Sequence, residues 1–156
     1  MFDVDEINKE IPYKISVKEY GCVSFTTDNK LTYNVLFLSL YPNDSYNLHN
    51  INFYDLTVEV IGKNKRDKRN NKIKETILRV VSFFMKEFDD VVLLIYDNSD
   101  GKGKIRLHLF KSWFDDLYYK KDYDDFSFMT NKNYQKKEEV ENIFDCYSLD
   151  CWDYQL

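Results

Sequence analysis

The feature that most constrains the fold is the run Val91–Tyr96, which is apolar at every position and rich in β-branched and aliphatic side chains. Successive side chains of a β-strand point to opposite faces of its sheet. A strand that is apolar on both faces is stable only where both faces are covered. The run therefore predicts an internal strand, and the rest of the chain must supply the sheet and its cover.

The strongest helical pattern lies immediately before this strand, over about residues 72–88. Apolar side chains recur there at the three- and four-residue spacing that lines one face of a helix. They are Ile73, Ile77, Val80, Val81, Phe84 and Phe88. We predict that this amphipathic helix is the central one and lies across one face of the sheet.

The first half of the chain alternates apolar and polar residues with period two, which is typical of strands. Segments 13–17, 22–27, 33–40 and 56–61 follow this pattern, and they are separated by turn residues at Gly21 and Asp28–Lys30. Short alternating runs between such turns predict an antiparallel meander. With 156 residues and 44% hydrophobic content, the chain is predicted to be one α+β domain over residues 1–156.

The segment after the apolar strand fits two structures. Ile105, Leu107 and Leu109 alternate with polar residues, which favours a strand, whereas Ile105, Leu109, Trp113 and Leu117 are spaced by four, which favours a helix. We predict a second helix over about residues 105–119. Residues 120–156 are acidic and irregular, and we expect them to form a peripheral or partly disordered tail in which 126–128 is a short edge strand.

Charge is distributed unevenly along the chain. The net charge of −5 divides into −5 over residues 1–60, +6 over 61–88 and −6 over 89–156. The basic segment makes Lys65, Arg66, Lys68 and Arg69 candidate anion-binding residues, although a solvated loop or a contact with an acidic partner explains them equally well. Sequence-independent affinity for nucleic acid depends on cations that neutralise phosphates, so binding at physiological salt is not expected from this acidic chain.

The three cysteines, Cys22, Cys146 and Cys151, have no CxxC spacing, so neither a disulfide framework nor a zinc cluster is indicated. The N-terminus is acidic where a secretory signal would be basic and then apolar. No segment approaches the roughly 18 continuous apolar residues that a membrane helix requires. These features predict a cytoplasmic protein that does not enter a membrane.

The loop that follows the apolar strand holds the only candidate catalytic residues. They are Asp97, Asp100, Arg106 and His108, which together suggest a metal-dependent phosphodiester or nucleotide-processing enzyme. The comparison with a calcium loop fails, because Tyr96 and Leu107 take the positions of the first and last ligands. Capping and Asx-turns explain the same aspartates, so no metal or cofactor is predicted.

The same region carries a family resemblance. Tyr96, Asp97, Asp100, Gly101 and Lys102, followed by Arg106, Phe110, Trp113 and Phe114, resemble the signature block of an uncharacterised family of small Bacteroidota proteins. The resemblance covers about residues 13–114. It implies a fold and a bacterial host, and it implies no reaction, since the family has no assigned activity.

Three functions remain open from the sequence, one of which is an anion or nucleic-acid binder that uses the basic segment 63–74. The leading hypothesis is a small, soluble, non-catalytic protein-interaction module of the neutralising, immunity or phage-conflict type, with another protein as its partner. The alternative is the enzyme built on the 97–108 loop. The sequence does not specify the oligomeric state.

Overall fold

The computed structural model describes residues 3–42, 51–61, 71–95, 111–146 and 152–154. The helices are α1 (Val4–Ile7), α2 (Asn71–Phe88) and α3 (Lys137–Cys146), and a 3-10 turn at Asn8–Glu10 follows α1. The strands are β1 (Ser16–Glu19), β2 (Cys22–Thr26), β3 (Thr32–Pro42), β4 (Phe53–Ile61), β5 (Val91–Ile95), β6 (Tyr119–Asp122), β7 (Phe126–Thr130) and β8 (Trp152–Tyr154). The predicted α+β class is confirmed.

The eight strands form one mostly antiparallel sheet in the order β1-β2-β3-β4-β5-β7-β6, and β8 pairs with β3. The strand β5 is internal, as predicted, and Val91–Leu94 are buried on both faces. It pairs antiparallel with β7 but parallel with β4, where Phe53 lies opposite Val91. A parallel pair needs a crossover connection, and α2 lies within the connection from β4 to β5.

The chain divides into two compact units. Unit 1 comprises Met1–Phe37 and Leu56–Phe88, and unit 2 comprises Leu38–Asp55 and Asp89–Leu156. The prediction of a single domain over residues 1–156 stays a prediction.

In unit 1, α2 confirms the helix predicted over 72–88. Its buried face is formed by Ile73, Thr76, Ile77, Val80, Val81, Phe84 and Met85. The Phe84 ring stacks on the Phe37 ring of β3 with 3.9 Å between centroids, so the helix packs on a face of the sheet. The Tyr13 backbone N–H donates to Thr76 Oγ1 over 3.3 Å, which ties the segment before β1 to the helix.

The β1-β2 hairpin of unit 1 depends on Gly21. This glycine has φ +77°, and its carbonyl accepts a hydrogen bond from the Phe37 N–H over 2.8 Å. A Cβ at this position would lie 2.8 Å from the Phe37 carbonyl oxygen. Residue 21 therefore needs both the left-handed conformation and the missing side chain that glycine supplies.

Unit 2 has an aromatic core to which the C-terminal third of the chain contributes most. Its buried residues are Leu40, Ile51, Phe53, Val91, Leu93, Phe126, Phe128, Tyr134, Val140, Phe144 and Trp152. The Phe144 ring of α3 contacts Phe53 edge-on at 5.7 Å and stacks on Trp152 at 5.4 Å. Residues that the sequence analysis placed in a peripheral tail thus include β6, β7, α3 and β8.

Two boundaries in this region differ from the sequence-based expectation. Residues 105–110 of the predicted second helix lie outside the described residues, but 111–112 are helical, 113–117 form a turn, and β6 begins at Tyr119. Asp116 has φ +65°, which ends the helical path, and pairing of Tyr119 with Thr130 favours a strand. The segment 126–128 is a strand, as expected, but it is internal because β6 covers the edge of β7.

Candidate functional site

The residues singled out from the sequence lie outside the described parts of the chain. This holds for Asp97, Asp100, Arg106 and His108, which follow β5 in the sequence, and for Lys65, Arg66, Lys68 and Arg69 in the basic segment. Within the described ranges, no three His, Cys, Asp or Glu side chains are grouped so that they could hold a metal ion. None of the helices that the structure describes is both long and apolar enough to span a bilayer.

A different group of polar residues comes together where α2 connects to β5. Asp89 and Asp90 form this two-residue connection, and Asp89 adopts φ +44°. Aspartate tolerates the left-handed conformation better than most residues do. This short connection places two consecutive carboxylates at the N-terminal end of β5.

Neighbouring strands bring two amides to the same place. The Val91 N–H donates to the Asn52 carbonyl over 3.1 Å, and Asn52 Nδ2 donates to Asp90 Oδ1 over 3.4 Å. Asn131 directly follows β7, which is antiparallel to β5, and its Nδ2 donates to Asp89 Oδ1 over 2.8 Å. The sheet register therefore pairs each carboxylate with one amide.

Tyr134 completes the group, which we call the Asp89–Asp90 site: Asp89, Asp90, Asn52, Asn131 and Tyr134. The Tyr134 N–H donates to the Asn131 carbonyl over 3.1 Å in a turn, and the side chain is only 9% exposed. Burial raises the pKa of its hydroxyl to about 12, and the charges of Asp90 and Asp89 act in the same direction. The phenol is therefore protonated at neutral pH, within electrostatic range of the two carboxylates.

The raised pKa of Asp90 indicates that no nearby positive charge offsets its burial. Burial raises the pKa of its carboxyl to about 6; the hydrogen bond from Asn52 acts against this shift, and the charge of Asp89 adds to it. A carboxylate whose ionised form is disfavoured gains most from a cation that arrives at it. The site is thus a partly desolvated anionic surface on which a positive group would be stabilised.

A second polar surface lies along the edge strand β6, and two lysines there are paired with aspartates. Lys111 Nζ lies 2.7 Å from Asp122 Oδ1, and Lys120 Nζ pairs with Asp115. Burial alone would raise the pKa of Asp122, but hydrogen bonds from Lys111 and Ser127 lower it. An open cavity of about 570 Å³ lies here, lined by Asp115, Asp116, Tyr118, Tyr119, Lys120 and Lys132.

These pairings leave the lysines of unit 2 less exposed than its acids. The described part of unit 2 has thirteen Asp and Glu residues and six Lys residues. Ten of these acids are exposed: Asp89, Asp115, Asp116, Asp122, Asp124, Asp125, Glu138, Glu139, Asp145 and Asp153. Among the six lysines only Lys132 is exposed: Lys111, Lys120 and Lys121 lie against carboxylates, and Lys137 lies over the Tyr119 ring at 5.0 Å.

Sequence reasoning did not find the Asp89–Asp90 site. A doubled aspartate between a strong helix and a buried strand was visible in the sequence, but Asn52, Asn131 and Tyr134 carry no local signal. They are about 38 to 45 positions away along the chain, and only strand register brings them together.

Fold and site together define an α+β protein with a mixed sheet and an acidic, amide-supported site. A sequence model described as a family of unknown function, DUF6169, matches residues 69–147, and the chain belongs to this family. The match confirms the expected uncharacterised family, although it extends past residue 114 into the segment that the resemblance left unmatched. No curated protein matches the chain, and no solved structure does.

Proposed function

We propose that this chain is a non-catalytic module that binds another protein, and that the partner presents a basic surface. The observation that supports the proposal is the asymmetry of exposure in the described part of unit 2, where ten acids and one lysine are exposed. An excess of exposed like charges attracts a partner of opposite charge and accelerates association.

The paired lysines strengthen this argument. Lys111 and Lys120 keep only 14% and 17% of their side-chain surface exposed, because each lies against an aspartate. A cation held in this way offers little to an anionic ligand, while exposed carboxylates outside these pairs, such as those of Asp124 and Asp125, remain available to a cationic one. Individual exposed ion pairs contribute only about 0.2–1 kcal/mol each, so the acids would set association rate and specificity rather than the whole affinity.

The same surface disfavours a polyanion. The sequence segments before and after residues 61–88 carry net charges of −5 and −6, which repel a nucleic acid attracted to the basic residues 63–74, and screening weakens that attraction beyond about 8 Å at physiological ionic strength. A protein partner with clustered Lys and Arg meets no such repulsion.

Partner binding and charge reversal test the proposal together. The tagged chain is expressed in a bacterial host at about 0.15 M salt, retained proteins are identified, and each is purified and titrated by biolayer interferometry. Asp124→Lys with Asp125→Lys should slow association at least about tenfold. The matched control, Glu75→Lys with Glu87→Lys, makes the same charge change on exposed α2 positions and should leave the rate within about twofold.

Two results would overturn the proposal. One is a partner whose association is insensitive to the Asp124 and Asp125 reversal. The other is hydrolysis of a nucleotide or phosphodiester with Mg²⁺ that Asp97→Asn with Asp100→Asn abolishes, which would establish the enzyme alternative.

A further inference from the structure

We infer that the end of β3 and the aromatic slot beside it form a groove for an extended peptide, and that the chain fills this groove with its own strand β8. A partner segment that pairs with β3 and inserts an aromatic side chain displaces β8. The inference rests on the proposed function and adds to it the kind of segment that the partner presents.

The groove, which we call the β3 groove, has two parts, both within unit 2. The first is the edge of β3, where residues 40–42 pair antiparallel with β8. The second is a slot formed by the Phe53 and Phe144 rings, which holds Trp152. The indole contacts Phe53 edge-on at 4.8 Å and stacks on Phe144 at 5.4 Å. Main-chain pairing at a sheet edge, combined with a pocket for a side chain, is the way in which sheets recognise an added peptide strand.

The strand β8 fills the β3 groove imperfectly. Trp152 is only 7% exposed, and its Nε1 has no hydrogen-bond partner among the described residues. A buried N–H that leaves water without gaining an acceptor costs free energy. Pro42, which lies opposite Trp152, has no backbone N–H to donate to the pairing. Three residue pairs, one of which lacks a donor, hold β8 weakly enough for another segment to replace it.

The two outer strands of the sheet are less suited to accept a segment. The register of β1 shifts at a bulge between Val17 and Glu19, and β6 carries Lys120 and Lys121. Bulges and lysines on an edge strand hinder the addition of another strand. Residues 40–42 of β3, by comparison, are paired with an added strand in the structure itself.

The covalent link between β8 and the rest of the chain favours β8 over a free peptide. A tethered segment competes at an effective concentration on the order of 1 mM. A partner segment therefore displaces β8 when other contacts hold the partner close to the groove. The attraction of a basic partner to the exposed acids of unit 2 would provide such contacts.

A labelled peptide tests the β3 groove on the full chain. The peptide has the sequence of residues 149–156 with Cys151→Ser and carries fluorescein. In fluorescence anisotropy it should bind the Trp152→Ala chain, whose slot is vacated, with a Kd on the order of 0.1 mM. The wild-type chain should bind it at least about tenfold more weakly, because β8 competes. Asp153→Ala, at an exposed position of the same strand, is the matched control and should behave like the wild type.

A second measurement does not depend on how well the Trp152→Ala chain folds. Unlabelled peptide is added in excess to the isotope-labelled wild-type chain, and the indole N–H resonance of Trp152 is followed by NMR. Displacement of β8 should move this resonance to the position of a solvated indole. The peptide with Trp152→Ala lacks the side chain that enters the slot and should leave the resonance unchanged.

Three results would overturn the inference: equal binding of the peptide to the wild-type and Trp152→Ala chains, equal binding by the Trp152→Ala peptide and its parent, or a wild-type Trp152 resonance that does not move at about 5 mM peptide. These experiments need no partner, so their failure is distinct from failure of the proposed function. Partner association could depend on Asp124 and Asp125 while the peptide finds no groove.

Discussion

At the scale of single residues, Asp90 is the position where burial and charge conflict most directly. Its folded-state pKa of about 6 lies above the ordinary value of 3.8, because burial and the charge of Asp89 disfavour the ionised form. A carboxyl group whose pKa is raised by folding stabilises the folded state at pH values below its unfolded-state pKa. This stabilisation is lost as the pH rises through the folded-state pKa. Asp90 therefore costs stability at neutral pH, which is consistent with a binding role.

The corresponding prediction is that Asp90→Asn stabilises the protein in a pH-dependent way. At pH 8 the free energy of unfolding should rise by about 1 kcal/mol. This is smaller than the raised pKa would give at about 1.36 kcal/mol per pH unit, because the side chain is only partly buried and solvent screens its charge. At pH 4 the difference from the wild type should be close to zero. Chemical denaturation at both pH values measures this, with Asp124→Asn as the exposed control, and an equal effect at the two pH values would contradict the prediction.

Among the residues that the structure describes, Gly21 is the one at which backbone geometry allows the least substitution. Gly21→Ala should destabilise the fold by about 1–3 kcal/mol, since it combines a left-handed φ with a Cβ 2.8 Å from a carbonyl oxygen. Tyr20→Ala is the adjacent control, because Tyr20 is 84% exposed. Equal denaturation midpoints for the two variants would show that the turn relaxes around the new methyl group.

At the scale of elements, the Phe84 ring is predicted to supply a large part of the contribution of α2 to stability. Phe84 is fully buried and stacks on Phe37, so Phe84→Ala should cost about 3–5 kcal/mol in denaturant unfolding. Ser82→Ala, on the exposed side of the same helix, should change stability by less than about 0.5 kcal/mol. A loss below about 1 kcal/mol for Phe84→Ala would mean that the cavity collapses or fills.

The helix α3 makes the corresponding contribution to unit 2. Phe144 contacts Phe53, Phe126, Phe128 and Trp152, so Phe144→Ala should also cost about 3–5 kcal/mol. Asn142→Ala is the exposed control on the same helix. If the Phe144 variant unfolded at the wild-type midpoint, the C-terminal elements would be peripheral after all.

At the scale of the whole molecule, we expect the charge distribution to select which macromolecules bind. Oligonucleotide binding, measured by fluorescence anisotropy, should be weak at low salt and collapse as salt rises through about 0.15 M. Submicromolar binding that persists at that salt, and that is lost when Lys65, Arg66, Lys68 and Arg69 are changed to Ser, would contradict the proposal of a protein partner.

Local patterns in the sequence determined the elements with strong periodicity. The α2 helix followed from apolar residues at helical spacing, and β5 followed from a run that only a doubly covered strand can accommodate. The turn at Gly21 followed from the conformational freedom of glycine. Each of these signals lies within a few residues of the structure that it specifies.

Tertiary structure alone decided the partners of those elements. The parallel pairing of β4 with β5, the internal position of β7, and the early end of the helix near residue 112 depend on contacts between segments far apart in sequence. The Asp89–Asp90 site has the same origin, because Asn52 and Asn131 reach the two aspartates only through strand register. The sequence did not show that the two lysines of β6 lie against carboxylates, which depends on packing between segments.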